Sequence, residues 1–179
     1  MKQILFVSLL VFILSNNLRN LATYNWGTVY DELVARHNAL RAKHKAGALT
    51  KAAALATLSQ TVANHCAQIG SLDHIKQTYQ GQPVGQNLHV TGTSGSTGPT
   101  GSSIADGWYK EISNYDFAKG VTKNGGVIGH FTQLVWKSSK YIGCALKIGK
   151  YKGLNGFYVC CDYYPAGNFK GEYTKNVAK

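Results

Sequence analysis

The 179-residue chain is short of acid. Eight Asp and Glu stand against 19 Lys and Arg, for a formal charge of +11. That imbalance favours anionic partners such as cell-wall polymers or phospholipid headgroups, and it serves equally as a solvated face that keeps a protein soluble. No Cys-x-x-Cys pair is present, which removes the usual ground for a structural zinc site. Nor is there an Asn-x-Ser/Thr sequon, so ordinary N-glycosylation is not expected. No nucleic-acid-binding motif is recognisable, which together with the expected export disfavours nucleic acid, and no nucleic-acid partner is expected. No stretch approaches the ~20 apolar residues of a bilayer-spanning helix. The longest apolar run, Ile4 to Leu14 behind Lys2, has the length of a secretory h-region. Residues 1–22 are therefore expected to be a signal peptide, cut after Ser15 or Ala22, and the rest to be soluble, extracellular and without a transmembrane segment.

What remains, 44% hydrophobic and 15% charged over the whole chain, suits one compact domain over residues 25–175. Four cysteines, Cys66, Cys144, Cys160 and Cys161, would enter an oxidising compartment, where an even count permits two disulfides in any of three connectivities. Neighbours on a strand face opposite ways, so Cys160 and Cys161 should have different partners.

Apolar spacing predicts a first helix over 25–45, with Val29, Leu33, His37, Leu40 and His44 on one stripe and Arg36, Arg41 and Lys43 on other faces. A second helix should start after Thr50 as N-cap and end at Gly70, with Cys66 facing inward. The Gly/Ser/Thr segment 91–103 reads as a flexible surface loop. Ser103 could then cap a third helix carrying Trp108 and Glu111. "GHFTQLVWKSS" at 129–139 is too short for helical and alternating patterns to be told apart. "YIGCALKIG" and "GFYVCCDYY" read as an antiparallel strand pair across a short Lys/Gly turn. Helices first and antiparallel strands last make an α+β domain.

Four segments carry a resemblance: "RHNALRAKH" at 36–44, "ADGWYKEISNY" at 105–115, "GHFTQLVWKSS" at 129–139 and "YVCCDYYPAGNF" at 158–169. In this order they resemble the CAP superfamily of cysteine-rich secretory, antigen 5 and pathogenesis-related group-one proteins, over roughly residues 30 to 173. The closest pattern is the secreted single-domain fungal and plant type. Asp162 stands where the family usually has Asn, Ser, Gln, Arg or His. The resemblance implies a three-layer α-β-α sandwich around a central antiparallel sheet, the CAP/SCP fold. It also implies a cleft in which two histidines and two acids meet: His74, Gln86, Glu111 and His130. Here the family's "GEN" reads "GQN", so Gln86 replaces a carboxylate.

Two imidazoles can ligate zinc or magnesium, and nearby carboxylates add charge and orient the rings. With Glu111 as its one acid, the cleft should hold a divalent cation weakly through His74 and His130, and Asp73 could compensate only if its side chain turned inward. His37 reads as a satisfied core histidine; His44, His65 and His89 have no partner pattern. No nucleophile–histidine constellation can be assembled, so catalysis is disfavoured. All four cysteines fit disulfides better, with Cys144–Cys161 expected first and Cys66–Cys160 second. In the superfamily the recurrent theme is binding of small hydrophobic ligands, which makes a secreted sterol- or fatty-acid-binding protein the leading expectation. The alternatives are a weak metal-dependent hydrolase or protease at His74, His130 and Glu111, and a defence- or toxin-like protein acting through its basic surface on anionic cell-surface or wall components.

Overall fold

A computed structural model describes residues 24–95 and 97–179; the apolar N-terminal run and both candidate cleavage points lie outside the described residues. Five helices are present among the described residues: α1 (Trp26–Lys43), α2 (Ala53–Ile69), α3 (Gly101–Tyr109), α4 (Gly129–Leu134) and α5 (Tyr173–Asn176), with a 3₁₀ turn at Lys110–Asn114. The main sheet has the order β1 (Thr50–Lys51), β7 (Tyr141–Tyr151), β8 (Leu154–Tyr164), β4 (Gly85–Thr93). Two small ladders stand apart from it, β2 (Thr78–Tyr79) with β3 (Gln82–Pro83), and β5 (Tyr115–Asp116) with β6 (Val121–Thr122).

The expected strand pair is β7–β8, in register from Tyr141↔Tyr164 to Tyr151↔Leu154. Its two-residue turn, Lys152-Gly153, holds φ at 51° and 81°, the twist that matches a right-handed hairpin. The sheet is antiparallel except at β1, which runs parallel to β7. Thr50 is thus a strand residue and not the N-cap of α2; that helix follows Ala52, which makes no side-chain cap bond. Asn25 does cap α1, accepting from Thr28 N at 3.2 Å, and Gly70 ends α2 in the left-handed region with φ 71°. For α3 the cap is Thr100, whose hydroxyl accepts from Ser103 N, so Ser103 lies one turn inside the helix. The loop expected at 91–103 is correspondingly shorter. Thr91, Gly92 and Thr93 pair with β8, and Gly101 begins α3.

Alternation along β8 divides the interior. Cys160 and Tyr158 meet Val62, Ala63 and Cys66 of α2 on one face. Val159, Cys161 and Tyr163 meet Leu33, Leu40, Ile104, Trp108 and Trp136 on the other. Helices on both faces make the three-layer α-β-α sandwich. At Gly143 of β7 a Cβ would run into the backbone of Leu55 and Ala56, so the absence of a side chain is what lets α2 lie so close to the sheet.

Cys144 and Cys161 are opposite residues in the β7–β8 register and form a disulfide, as expected. The second expected bridge, Cys66–Cys160, is not formed: both are buried free thiols of the α2-side cluster. The Cys66 sulfur is turned to Asp73, donating to its carbonyl and accepting from its N–H at 3.4 Å each.

Arg41 lies off the apolar stripe, as the spacing has it, yet it is not at the surface. It is fully buried, and its guanidinium donates to the carbonyls of Gly47 (2.7 Å), Leu134 (2.9 Å), Trp136 (2.9 Å) and Ser139 (3.0 Å). Burial pulls its pKa down to about 10.

Candidate functional site

The motif at 129–139 opens with helix α4, and His130 sits in its first turn. Residues 110–114 bring Glu111 against this helix end. One carboxylate oxygen accepts from His130 Nδ1 at 2.6 Å; the other accepts from the backbone N–H groups of His130 (2.9 Å) and Phe131 (3.2 Å). Glu111 therefore does three jobs at once, pairing with the imidazole and satisfying two of the orphan donors at a helix start. The indole of Trp108 lies parallel to the His130 ring, centroids 6.3 Å apart, and Asn87 donates to the His130 carbonyl at 3.0 Å. With 30% of its side chain exposed, His130 is both a bonded part of the fold and open on one edge. Its Nδ1 is committed to Glu111, leaving Nε2 as the exposed nitrogen.

His74 and Gln86 form a second pair, His74 Nδ1 to Gln86 Oε1 at 2.9 Å. Behind them the Gln86 amide donates to Asp162 Oδ1 at 2.9 Å, and the Ser59 hydroxyl donates to Asp162 Oδ2 at 2.8 Å. The backbone N–H of Asp162 donates in turn to Ser59 Oγ at 3.0 Å. Asp162 is fully buried, and burial pushes its pKa up to about 6 against the opposing pull of the Gln86 and Ser59 hydrogen bonds and of His74. Asp73 does not supply the missing charge: it pairs with His65 at 2.9 Å at the surface.

The four residues singled out in the sequence thus stand as two pairs, His130–Glu111 and His74–Gln86. Gln86 and Asn87 are neighbours on the edge strand β4 and reach opposite ways, Gln86 to His74 and Asp162, Asn87 to His130. Among the described residues no hydrogen bond joins the pairs, and no three His, Cys, Asp or Glu side chains gather closely enough to hold a metal ion by themselves. Two imidazole nitrogens are the donors left for a divalent cation, short of the three or four protein ligands of a firm zinc site. No Ser, Thr or Cys side chain among the described residues hydrogen bonds to His74 or His130.

Two further histidines, His37 and His44, are structural. His37 is fully buried, donating from Nδ1 to Leu33 O and accepting at Nε2 from the Tyr163 hydroxyl, each at 2.8 Å. Burial lowers its pKa to about 4. His44, on the expected apolar stripe, joins Ala178 O (2.6 Å) to the Tyr109 hydroxyl (2.9 Å) and so ties the C-terminal segment to α1 and α3. Asp162, Ser59 and Arg41 are the residues that sequence reading missed. The one signal available was the acid at 162 in a motif slot that seldom holds one.

An open groove of about 440 Å³ lies at the β7 edge of the sheet, between α1 on one face and α2 on the other. Trp26 and Tyr30, stacked with their centroids 5.9 Å apart, form one wall, and Ala56, Thr57 and Ala145 contribute to the rest. The Lys51 ammonium stands over the Tyr30 ring at 4.7 Å, next to its ion-pair partner Asp31.

Known proteins share both sequence and fold with this chain. It is 40% identical over 148 residues to Protein PRY2 of Saccharomyces cerevisiae, covering 81% of this chain and 40% of that protein. Over 125 residues it is 40% identical to Venom allergen 5 of Polistes fuscatus, covering 68% of this chain and 58% of that one. With human Golgi-associated plant pathogenesis-related protein 1 it shares 34% over 151 residues, covering 83% and 91%. The chain spans about half the length of the first two relatives. Its fold is that of Schistosoma mansoni venom allergen-like protein 4 (TM-score 0.56, 21% identity, covering 82% of this chain and 92% of that one) and of MpPR-1i (TM-score 0.61, 16% identity, covering 88% and 100%). Residues 34–163 match the family model described as the cysteine-rich secretory protein family, CAP, and the chain belongs to that family.

Proposed function

We propose that this protein is an extracellular, non-catalytic binder of small apolar ligands such as sterols or fatty acids. The observation that carries the reading is the groove between α1 and α2. Its stacked Trp26 and Tyr30 rings and its small Ala56 side chain offer carbon surface to an elongated apolar body. Lys51 beside Tyr30 supplies a cation for a carboxylate or hydroxyl head. The arrangement of the histidines supports binding over catalysis, because His74 and His130 are each tied at Nδ1 and neither has a nucleophile beside it among the described residues. His74 and His130 are the residues that would hold a divalent ion such as zinc or magnesium, weakly, and the apolar ligand needs none.

The test is direct binding of radiolabelled cholesterol and of palmitate to the purified, oxidised protein, with and without chelator. Saturable binding that survives chelation is the expected result. Thr57→Trp, at an exposed position of the lining, should fill the groove and weaken binding at least tenfold while leaving the unfolding midpoint nearly unchanged. Failure of either lipid to bind would overturn the reading and shift attention to anionic surface or wall components on the basic face. Binding lost in chelator would move the site to the histidines.

A further inference from the structure

We propose that Asp162 is a positioning residue for His74, fixing it through Gln86 so that its Nδ1 carries the proton and its Nε2 stays open. The inference is independent of the lipid-binding reading. It rests on a chain of contacts crossing three elements: Ser59 of α2, Asp162 of β8, Gln86 of β4 and His74 in the segment after α2. Gln86 and Asp162 are directly opposed in the β4–β8 register, so the contact is built into strand pairing and does not depend on a long side chain finding its partner.

A primary amide is ambiguous, since its oxygen and nitrogen could exchange places with little change in shape. The neighbour decides. An ionised carboxylate only accepts hydrogen bonds, so the group of Gln86 that faces Asp162 Oδ1 is the NH₂. Its oxygen then faces His74 Nδ1, which must donate. Ser59 holds the carboxylate from its far side, and its own oxygen is fixed by the Asp162 backbone N–H at 3.0 Å and set against Gly143 O at 2.8 Å. On the other side of β4, Glu111 sets the same tautomer on His130. Both histidines therefore present Nε2 as an acceptor. Among the described residues no cation lies within hydrogen-bonding distance of Asp162, and a buried, unpaired carboxylate is disfavoured on stability grounds alone. The orientation of His74 gives it a role.

Long-range ¹H–¹⁵N correlation of the histidine rings in ¹⁵N-labelled protein at pH 7.5 tests this directly. In the native protein His74 should be protonated at Nδ1 and bare at Nε2. Asp162→Ala should lower the ratio of Nδ1–H to Nε2–H at His74 at least fivefold, with His130 unchanged as the internal control. Asp162→Asn, whose oxygen still accepts from Gln86, should restore the native pattern. A native His74 protonated at Nε2, or an unchanged ratio in folded Asp162→Ala, overturns the proposal. Should Asp162→Ala fail to fold, Gln86→Glu decides: two opposed carboxylates should lower its unfolding midpoint at neutral pH, and Gln86→Glu/Asp162→Asn should recover it. Equal midpoints in those two variants overturn the contact.

Discussion

Replacing Arg41 with methionine is expected to destabilise the protein by about 3–5 kcal/mol, although methionine fills much the same volume. The four carbonyls that Arg41 serves, on Gly47, Leu134, Trp136 and Ser139, would each lose a partner in a place water reaches poorly. Leu134 closes α4, and Trp136 and Ser139 follow it, so their carbonyls include groups that a helix end leaves unpaired. Lysine would not rescue the loss, because a single ammonium cannot span a fork of four acceptors. Among the described residues no acid pairs with Arg41, so the loss is one of hydrogen bonds and not of an ion pair. For a domain of this size ~3–5 kcal/mol corresponds to a fall in Tm of roughly 10 °C. Urea unfolding of Arg41→Met and Arg41→Lys measures it; a change below about 1 kcal/mol would show that the carbonyls find other donors. Because Arg41 anchors the segment that carries His130, the ring signals of His130 should broaden in the same variants.

Acid stability provides the second large effect, through two buried groups that titrate against each other. His37 is neutral in the fold, its pKa lowered from 6.5 to about 4 by burial, helped by the charge of Arg41 and opposed by the Leu33 hydrogen bond. The unfolded chain therefore binds the proton first, and stability is lost as pH falls from 6.5 to 4. Asp162 runs the other way. Raised from 3.8 to about 6, it binds its proton first in the folded state, so its unfavourable burial is relieved as pH falls from 6 to 4. A tenfold change in proton affinity is worth about 1.4 kcal/mol, so each group moves stability by about 3 kcal/mol, with opposite sign over nearly the same window. In the native protein the two contributions largely offset.

Asp162→Asn removes one of them. At pH 7 the variant should be more stable than the native protein by about 2–3 kcal/mol, since an amide keeps the Gln86 contact without a buried charge. Between pH 6.5 and 4 its advantage should shrink to nearly nothing, exposing the His37 slope. Urea midpoints of the two proteins across that range give the difference directly, and the remaining titrating groups cancel in the comparison. A variant less stable at pH 7, or a gap that does not close on acidification, would contradict the assignment.

The same substitution separates stability from positioning. Asp162→Asn is expected to stabilise the fold while leaving His74 oriented, whereas Asp162→Ala should release His74. A residue that costs stability and still orders a surface histidine is the pattern of a functional site.

Local order was legible in the sequence because it depends on near neighbours. Apolar spacing placed α1 and α2 to within a few residues, and alternation around a Lys-Gly turn placed β7 and β8. Four motif segments in order pointed to the family and its three-layer fold. The readings that failed at the edges were Thr50 as a cap and residues 91–103 as one loop: strand partners claimed Thr50 and residues 91–93, and α3 begins at Gly101. Nothing near Thr50 in the chain marks its pairing with Tyr141, and nothing near Thr91 marks its pairing with Phe157.

Arg41 and Asp162 were decided by tertiary structure alone. Helical position put Arg41 outside the expected stripe; only the carbonyls of residues 134–139, more than 90 positions away, make its burial favourable. Asp162 and Gln86 each looked like an isolated departure from a motif, one acid gained and one lost. They are 76 residues apart in the chain and face each other across the β4–β8 register. A sequence carries the identity of each polar group, but hydrogen bonds and buried charge are settled by pairwise geometry, which exists only once the strands have met.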